Sequence, residues 1–173
     1  MIYKVVIVGC GRIAGLWENP QTECLAYGHA KAYQQNGSFE IEGCVDIAID
    51  RAVEFSKKYN IPHNSTRLDS VINLIQPDVV SIATPDETHF DIVVDLLKNN
   101  KIVPRLIFLE KPACSNQSEL DVLLSLSKDR KVPIIVNHSR RFHPLYIELR
   151  KNYVSGHLGE LLGIYNNYYG GWI

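Results

Sequence analysis

At 173 residues, 46% hydrophobic and 21% charged, the chain has the size of one globular domain with a little to spare, enough to bury a core without disulfides or a metal. A formal net charge of −1, with lysines and arginines dispersed, offers nothing to neutralise a polyanion and argues against nucleic acid or an acidic membrane as partner. Cys10, Cys24, Cys44 and Cys114 form no C-x-x-C pair and no apolar run reaches the length of a membrane span, so no zinc site, disulfide framework or transmembrane helix is expected. No basic and apolar leader opens the chain, and a reduced, cytoplasmic setting is expected.

The first strand is expected over Ile2–Val8, and it runs straight into Gly9-Cys10-Gly11-Arg12-Ile13-Ala14, a G-x-G-x-x-A loop. The first glycine permits a tight turn off the strand. The second lets backbone approach a pyrophosphate with no Cβ between, and the small Ala14 lets a helix pack close to the sheet. Free N–H groups at the start of that helix, with their partial positive charge, suit phosphate oxygens. The helix is interrupted by "LWENPQTECLAYG", and its pattern resumes at "HAKAYQQ". Polar and bearing Trp17, the 17–28 insertion has two readings, a flap near the cofactor and a plain surface loop.

The second strand, Ile41–Asp46, ends on an acid. Asp46 lies further past the glycines than the roughly 20 residues usual for a ribose-binding carboxylate, and the insertion accounts for the excess. Such a carboxylate accepts hydrogen bonds from the adenosine ribose and repels a 2′-phosphate, so NAD is favoured over NADP; Ile47 offers that phosphate no cation. Arg51, one turn into the next helix, is read equally as a cover for the adenine face or as a surface arginine.

Further strands are expected over Asp78–Ala83, Arg105–Glu110 and Pro133–His138, all nearly continuous in apolar residues, as in a parallel sheet covered on both faces. Between them, Leu68, Val71, Ile72 and Ile75 keep helical spacing, as do Phe90, Val93, Val94 and Leu97, and more briefly Leu120, Leu123 and Leu124. Asp86 is expected as an N-cap, and Asn116 with Glu119 as a capping box. The alternation implies an α/β fold, a Rossmann-like doubly wound parallel sheet with right-handed crossovers. The pattern changes after His138: a loop, a helix from near Pro144, a glycine-bounded turn, then "ELLGIYNNYY" as a strand of another sheet. The expected division is a dinucleotide-binding domain over 1–139 and the first elements of a truncated α/β C-terminal domain over 140–173.

Three later stretches, "ATPDETHFDIVVDLLKN", "LEKPACSN" and "RRFHPLY", join the glycine loop and "VDIAIDRAVEFSKKY" in an order that resembles the Gfo/Idh/MocA oxidoreductases. The resemblance covers nearly the whole chain. It implies an enzyme that oxidises or reduces a sugar, sugar derivative or cyclitol carbon by hydride transfer with NAD or NADP. It implies that Gly9, Gly11, Arg12 and Ile13 surround the pyrophosphate and that Asp46 binds the ribose. Thr84, Pro85 and His89 would line the nicotinamide side, and Glu110 and Lys111 would supply the E-K-P motif whose lysine stands beside the reacting carbon. Thr84 and Lys111 also fall at C-terminal ends of expected strands, where ligands bind in open α/β sheets. An ammonium there stabilises a developing alkoxide and helps relay its proton, and Pro112 keeps Lys111 out of the α region. His89, taken alone, reads as a packing or capping residue. Arg141 matches the family's R-F arginine at the domain crossover, with contact to cofactor or substrate an even alternative to none.

Family enzymes are longer, associate through the second domain, and carry a catalytic histidine beyond a stretch like "YYGGW"; His138, His143 and His157 stand in other contexts. The chain is therefore expected to be an N-terminal fragment that binds NAD and is inactive by itself, from a protein that is a homo-oligomer when full length. A non-catalytic dinucleotide-binding module or sensor is the alternative, and a methyltransferase is disfavoured because the E-K-P and A-T-P stretches have no place in one.

Overall fold

A computed structural model of the chain describes residues 1–21 and 26–165. Contacts divide it into two units, Met1–Asn137 and His138–Ile173. The first unit holds a six-stranded, wholly parallel sheet of β1 (Tyr3–Val8), β2 (Phe39–Val45), β3 (His63–Ser65), β4 (Val79–Ile82), β5 (Leu106–Leu109) and β6 (Ile134–Val136), in the spatial order β3-β2-β1-β4-β5-β6. That is the doubly wound order, and its switch point lies between β1 and β4, whose connections leave in opposite directions.

The central strands β1 and β4 are largely apolar because both faces are covered. On β1, Val6 and Val8 turn to one side, where they meet Val71, Ile72 and Ile75 of α3 (Leu68–Ile75), Val93 of α4 (His89–Val94) and Leu123 of α5 (Gln117–Arg130). Val5 and Ile7 turn to the other side, to Ala30 of α1 (His29–Gln35) and to Ala52, Phe55 and Tyr59 of α2 (Ile49–Tyr59). Phe55 is wholly buried there, and its truncation to Ala would cost about 3–5 kcal/mol.

Four features differ from expectation. Strand β3 lacks an apolar signal because it is a short, polar edge strand, His-Asn-Ser, paired on one side only. Asp86 does not cap a helix; it opens a single 3-10 turn, and α4 begins after it at His89. The expected helix continues past Val94 as a π turn over Asp95–Asn99. Leu161–Tyr165 pair in no strand, and the rest of the expected strand, with Tyr168 and Tyr169, lies outside the described residues. Asn116 caps α5 as expected, its Oδ1 accepting the Glu119 N–H at 3.0 Å, but the returning bond of the box is displaced by one residue: Glu119 Oε2 accepts the N–H of Ser115 at 2.8 Å. No helix among the described residues is long and apolar enough to cross a membrane.

The second unit is described by its 3-10 turn Ser139–Phe142 and by α6 (Pro144–Val154), whose first turn holds Pro144 and is capped by the His143 side chain accepting from the Leu145 N–H at 3.3 Å.

Candidate functional site

The C-terminal edge of the sheet gathers the chemistry. One residue past each of β1, β4, β5 and β6, a backbone N–H still reaches the neighbouring strand: Gly9 to Val45 at 2.7 Å, Ala83 to Val8 at 2.8 Å, Glu110 to Ile82 at 2.9 Å and Asn137 to Leu109 at 2.7 Å. These bonds fix the start of every loop that follows.

Gly9 sits at the switch point with φ of +87°, and a Cβ on it would lie 2.7 Å from the Ala83 carbonyl oxygen. The protein's own backbone therefore demands that glycine. Gly11 is different. Its φ is not in the left-handed region, and a Cβ built there meets nothing within 4 Å. Neither packing nor backbone geometry explains a glycine at this position, whereas close approach of a ligand to the backbone does.

The helix expected after the loop is cut to one turn. Gly15 and Leu16 donate back to the Gly11 carbonyl at 3.3 and 3.1 Å, and the chain then leaves. It returns at Gly28, where the His29 N–H donates to Ile13 at 3.1 Å and the Ala30 N–H to Ala14 at 2.9 Å. The insertion is thus spliced into one helix, whose hydrogen bonds continue across the gap. Gly15 and Gly28 cross so closely that a Cβ on Gly28 would lie 2.6 Å from the Gly15 Cα. Ile13 and Arg12 stay exposed, Arg12 with its guanidinium 5.7 Å from the Trp17 ring centre. Cys10 is buried; its hydrogen bond with Cys44 and its burial hold the thiol far above the usual range, so it packs as a neutral group and is no nucleophile.

Asp46 is also buried. Its Oδ2 accepts the Cys10 N–H at 2.9 Å and its Oδ1 the Ala48 N–H at 2.9 Å, while Arg51 Nη1 lies 3.4 Å from Oδ1. The acid thereby locks the glycine loop to the end of β2, a duty not evident from the sequence. Arg51 sits over the acid, half exposed, and Ile47 is fully in solvent.

On the other side of the switch point, Thr84 is half-buried and Pro85 exposed. His89 is buried. Its Nδ1 faces the Pro112 carbonyl at 2.6 Å and its Nε2 the Thr84 carbonyl at 3.0 Å. Its ring ties the A-T-P loop to the E-K-P loop from beneath. Glu110 likewise turns inward: Oε1 accepts from His29 Nε2 at 2.9 Å and from Asn137 Nδ2 at 2.5 Å, and Oε2 accepts the Lys111 N–H at 3.3 Å. Burial works to raise the Glu110 carboxyl, but the hydrogen bonds from His29, Asn137 and Lys111 and the attraction of His29 together hold it below its ordinary value. Lys111, joined to Pro112 by a cis peptide, is exposed. Arg141 belongs to the second unit, exposed in its 3-10 turn. Sequence reading missed His29, Ser81 and Asn137; the available signal was a serine inside the apolar run "DVVSIA" and a histidine where the helix resumes.

A family model described as an oxidoreductase family with an NAD-binding Rossmann fold matches residues 3–138. Inositol 2-dehydrogenase of Rhizobium meliloti is 26% identical over 93% of this chain and 43% of its own length. The solved structure of scyllo-inositol dehydrogenase from Lactobacillus casei, with bound NAD(H) and scyllo-inositol, superposes with a TM-score of 0.76 at 17% identity, over 92% of this chain and 43% of that one. A 3-ketoreductase from Actinomadura kijaniata, solved with TDP-benzene and NADP, gives 0.73 at 18% identity, over 92% and 44%. The chain spans less than half the length of the first curated relatives it matches.

Proposed function

The chain belongs to the oxidoreductase family with an NAD-binding Rossmann fold, and on that premise we propose that its first unit binds NAD(H) across the crevice between β1 and β4, as part of a protein that oxidises or reduces a sugar, sugar derivative or cyclitol carbon. The bound nicotinamide would supply or take the hydride. The observation that carries this reading is Gly11, a glycine with open space where its Cβ would stand. A diphosphate fits there against bare N–H groups.

The remaining roles follow from position. Asp46, already anchored by two N–H bonds, keeps lone pairs for ribose hydroxyls, and its charge disfavours a 2′-phosphate; NAD is therefore preferred to NADP. Arg51 is placed to lie along the adenosine. Thr84 and Pro85 form the nicotinamide wall, with His89 as the tie behind it. Lys111 holds its ammonium at Nζ toward the substrate oxygen, stabilises the alkoxide as it develops, and helps pass its proton on. Inositol dehydrogenases among the similar proteins support a polyhydroxylated substrate class.

The test is Gly11→Ala. Unchanged thermal stability with at least tenfold weaker NADH binding, measured by fluorescence titration, is the expected result. Equal NADH affinity in both proteins would remove the reading.

A further inference from the structure

His29 belongs to none of the sequence motifs, yet it is 5% exposed with both ring nitrogens engaged. Nδ1 lies 2.8 Å from Ser81 Oγ and Nε2 2.9 Å from Glu110 Oε1; the ring rests on Phe108 with centroids 5.3 Å apart. Ser81 is wholly buried in the middle of β4. Apolar side chains would fill this space without desolvating polar groups, so a Ser–His–Glu row through the core is not explained by packing.

Its outer end explains it. Glu110 is gripped on Oε1 by His29 from α1 and by Asn137 from the end of β6, and its Oε2 carries the backbone N–H of Lys111. We propose that His29, backed by Ser81, is a positioning residue for Lys111: by fixing the Glu110 carboxylate it fixes the backbone from which the lysine enters the crevice. The functional importance of that aim rests on the oxidoreductase reading of Lys111; the mechanical linkage does not. A carboxylate only accepts, so His29 carries a proton on Nε2, while Nδ1 is held by the Ser81 hydroxyl, which both donates and accepts. Because the insertion rejoins the helix at Gly28–His29, the same turn that closes the excursion also seats this ring.

The experiment uses the 173-residue chain, isotopically labelled, as wild type, His29→Gln and Ser81→Ala. Nitrogen-15 spectra of the His29 ring read the tautomer, and amide hydrogen exchange reads Lys111. Wild type should show Nε2 protonated. His29→Gln should speed exchange at the Lys111 amide roughly tenfold while core amides such as Val6 exchange as before; a purely structural role would speed both together. Should His29→Gln fail to fold, Ser81→Ala, which keeps the ring but frees Nδ1, should mix the tautomers and shift the Lys111 amide. An Nδ1–H tautomer in wild type, or a Lys111 amide unmoved in the folded variants, overturns the proposal. NADH titration of the same samples separates the two readings. If wild type binds no NADH while the Lys111 readouts move, the linkage stands and the cofactor reading falls.

Discussion

Asp46 Oδ2 accepts the backbone N–H of Cys10 at 2.9 Å, so the acid closing β2 is bonded into the loop that closes β1. One side chain therefore serves two ends: it holds the glycine loop from below and presents negative charge to whatever lies beside it.

Asp46→Ala should accordingly damage both folding and binding. It leaves the Cys10 and Ala48 N–H groups without acceptors, at a cost of about 1–3 kcal/mol for the buried one, and NADH affinity should fall by tenfold or more. Asp46→Asn keeps one acceptor oxygen, so its loss of stability in urea unfolding should be the smaller of the two. Fluorescence titration beside urea melts checks both.

Gly9→Ala forms the counterpart to Gly11→Ala. Its φ of +87° and the 2.7 Å approach to the Ala83 carbonyl mean that backbone must move to admit a methyl group. Thermal unfolding should show a loss of about 1–3 kcal/mol, together with weakened NADH binding. The pair separates a glycine demanded by the fold from one left free for a ligand.

The Glu110 carboxyl sits below its ordinary value of 4.5 in the folded chain. The stability this contributes is complete above the unfolded value and is lost as pH falls through the folded one. Urea unfolding across acid pH should therefore show wild type losing stability below about pH 4.5 more steeply than Glu110→Gln, which has no proton to take up at this site. Parallel curves would mean that His29 and Asn137 do not hold the carboxylate.

The architecture was legible because its signals are local and strong. Val5 to Val8 are apolar without alternation, which requires a sheet covered twice, and Asn116 with Glu119 spells its own cap. The resumption of the helix at His29 was visible as a return of pattern, although the crossing of Gly15 and Gly28 that makes it possible was not. What the sequence hid was the inward side of the site. Glu110 and His89 sit inside recognisable motifs, yet their partners include His29, Asn137 and the Pro112 carbonyl, reached only once β4, β5 and β6 lie side by side. Pairings so distant along the chain leave no periodicity to read. Strand β3 was missed for a related reason: an edge strand with one neighbour needs little apolar surface.

The excursion between Gly15 and Gly28 should have an alkaline limit. Its neck is closed by Glu18, whose two oxygens accept the Tyr27 and Gly28 N–H groups at 2.8 Å each, and by the Tyr59 hydroxyl, which donates to the Gly15 carbonyl at 2.6 Å; Lys58 also donates to the Leu16 carbonyl. Burial first, and the nearby Glu18 charge second, push the Tyr59 phenol from 10 up to about 12. The folded chain thus prefers the protonated phenol, and this preference stabilises it fully below pH 10, with the contribution lost as pH rises from there toward 12. A phenolate cannot donate to the Gly15 carbonyl, so ionisation should break the neck. An ultraviolet titration should show Tyr33 and Tyr59 ionising later than the exposed tyrosines, with one of these late components missing in Tyr59→Phe. At neutral pH that variant should lose about 1 kcal/mol with its hydrogen bond, while its stability at high pH falls less than that of wild type. Glu18→Gln should bring the Tyr59 ionisation to lower pH by removing the repelling charge. A Tyr59 that titrates with the exposed tyrosines would show instead that the hydroxyl stands in water and that the Gly15–Gly28 crossing holds without it.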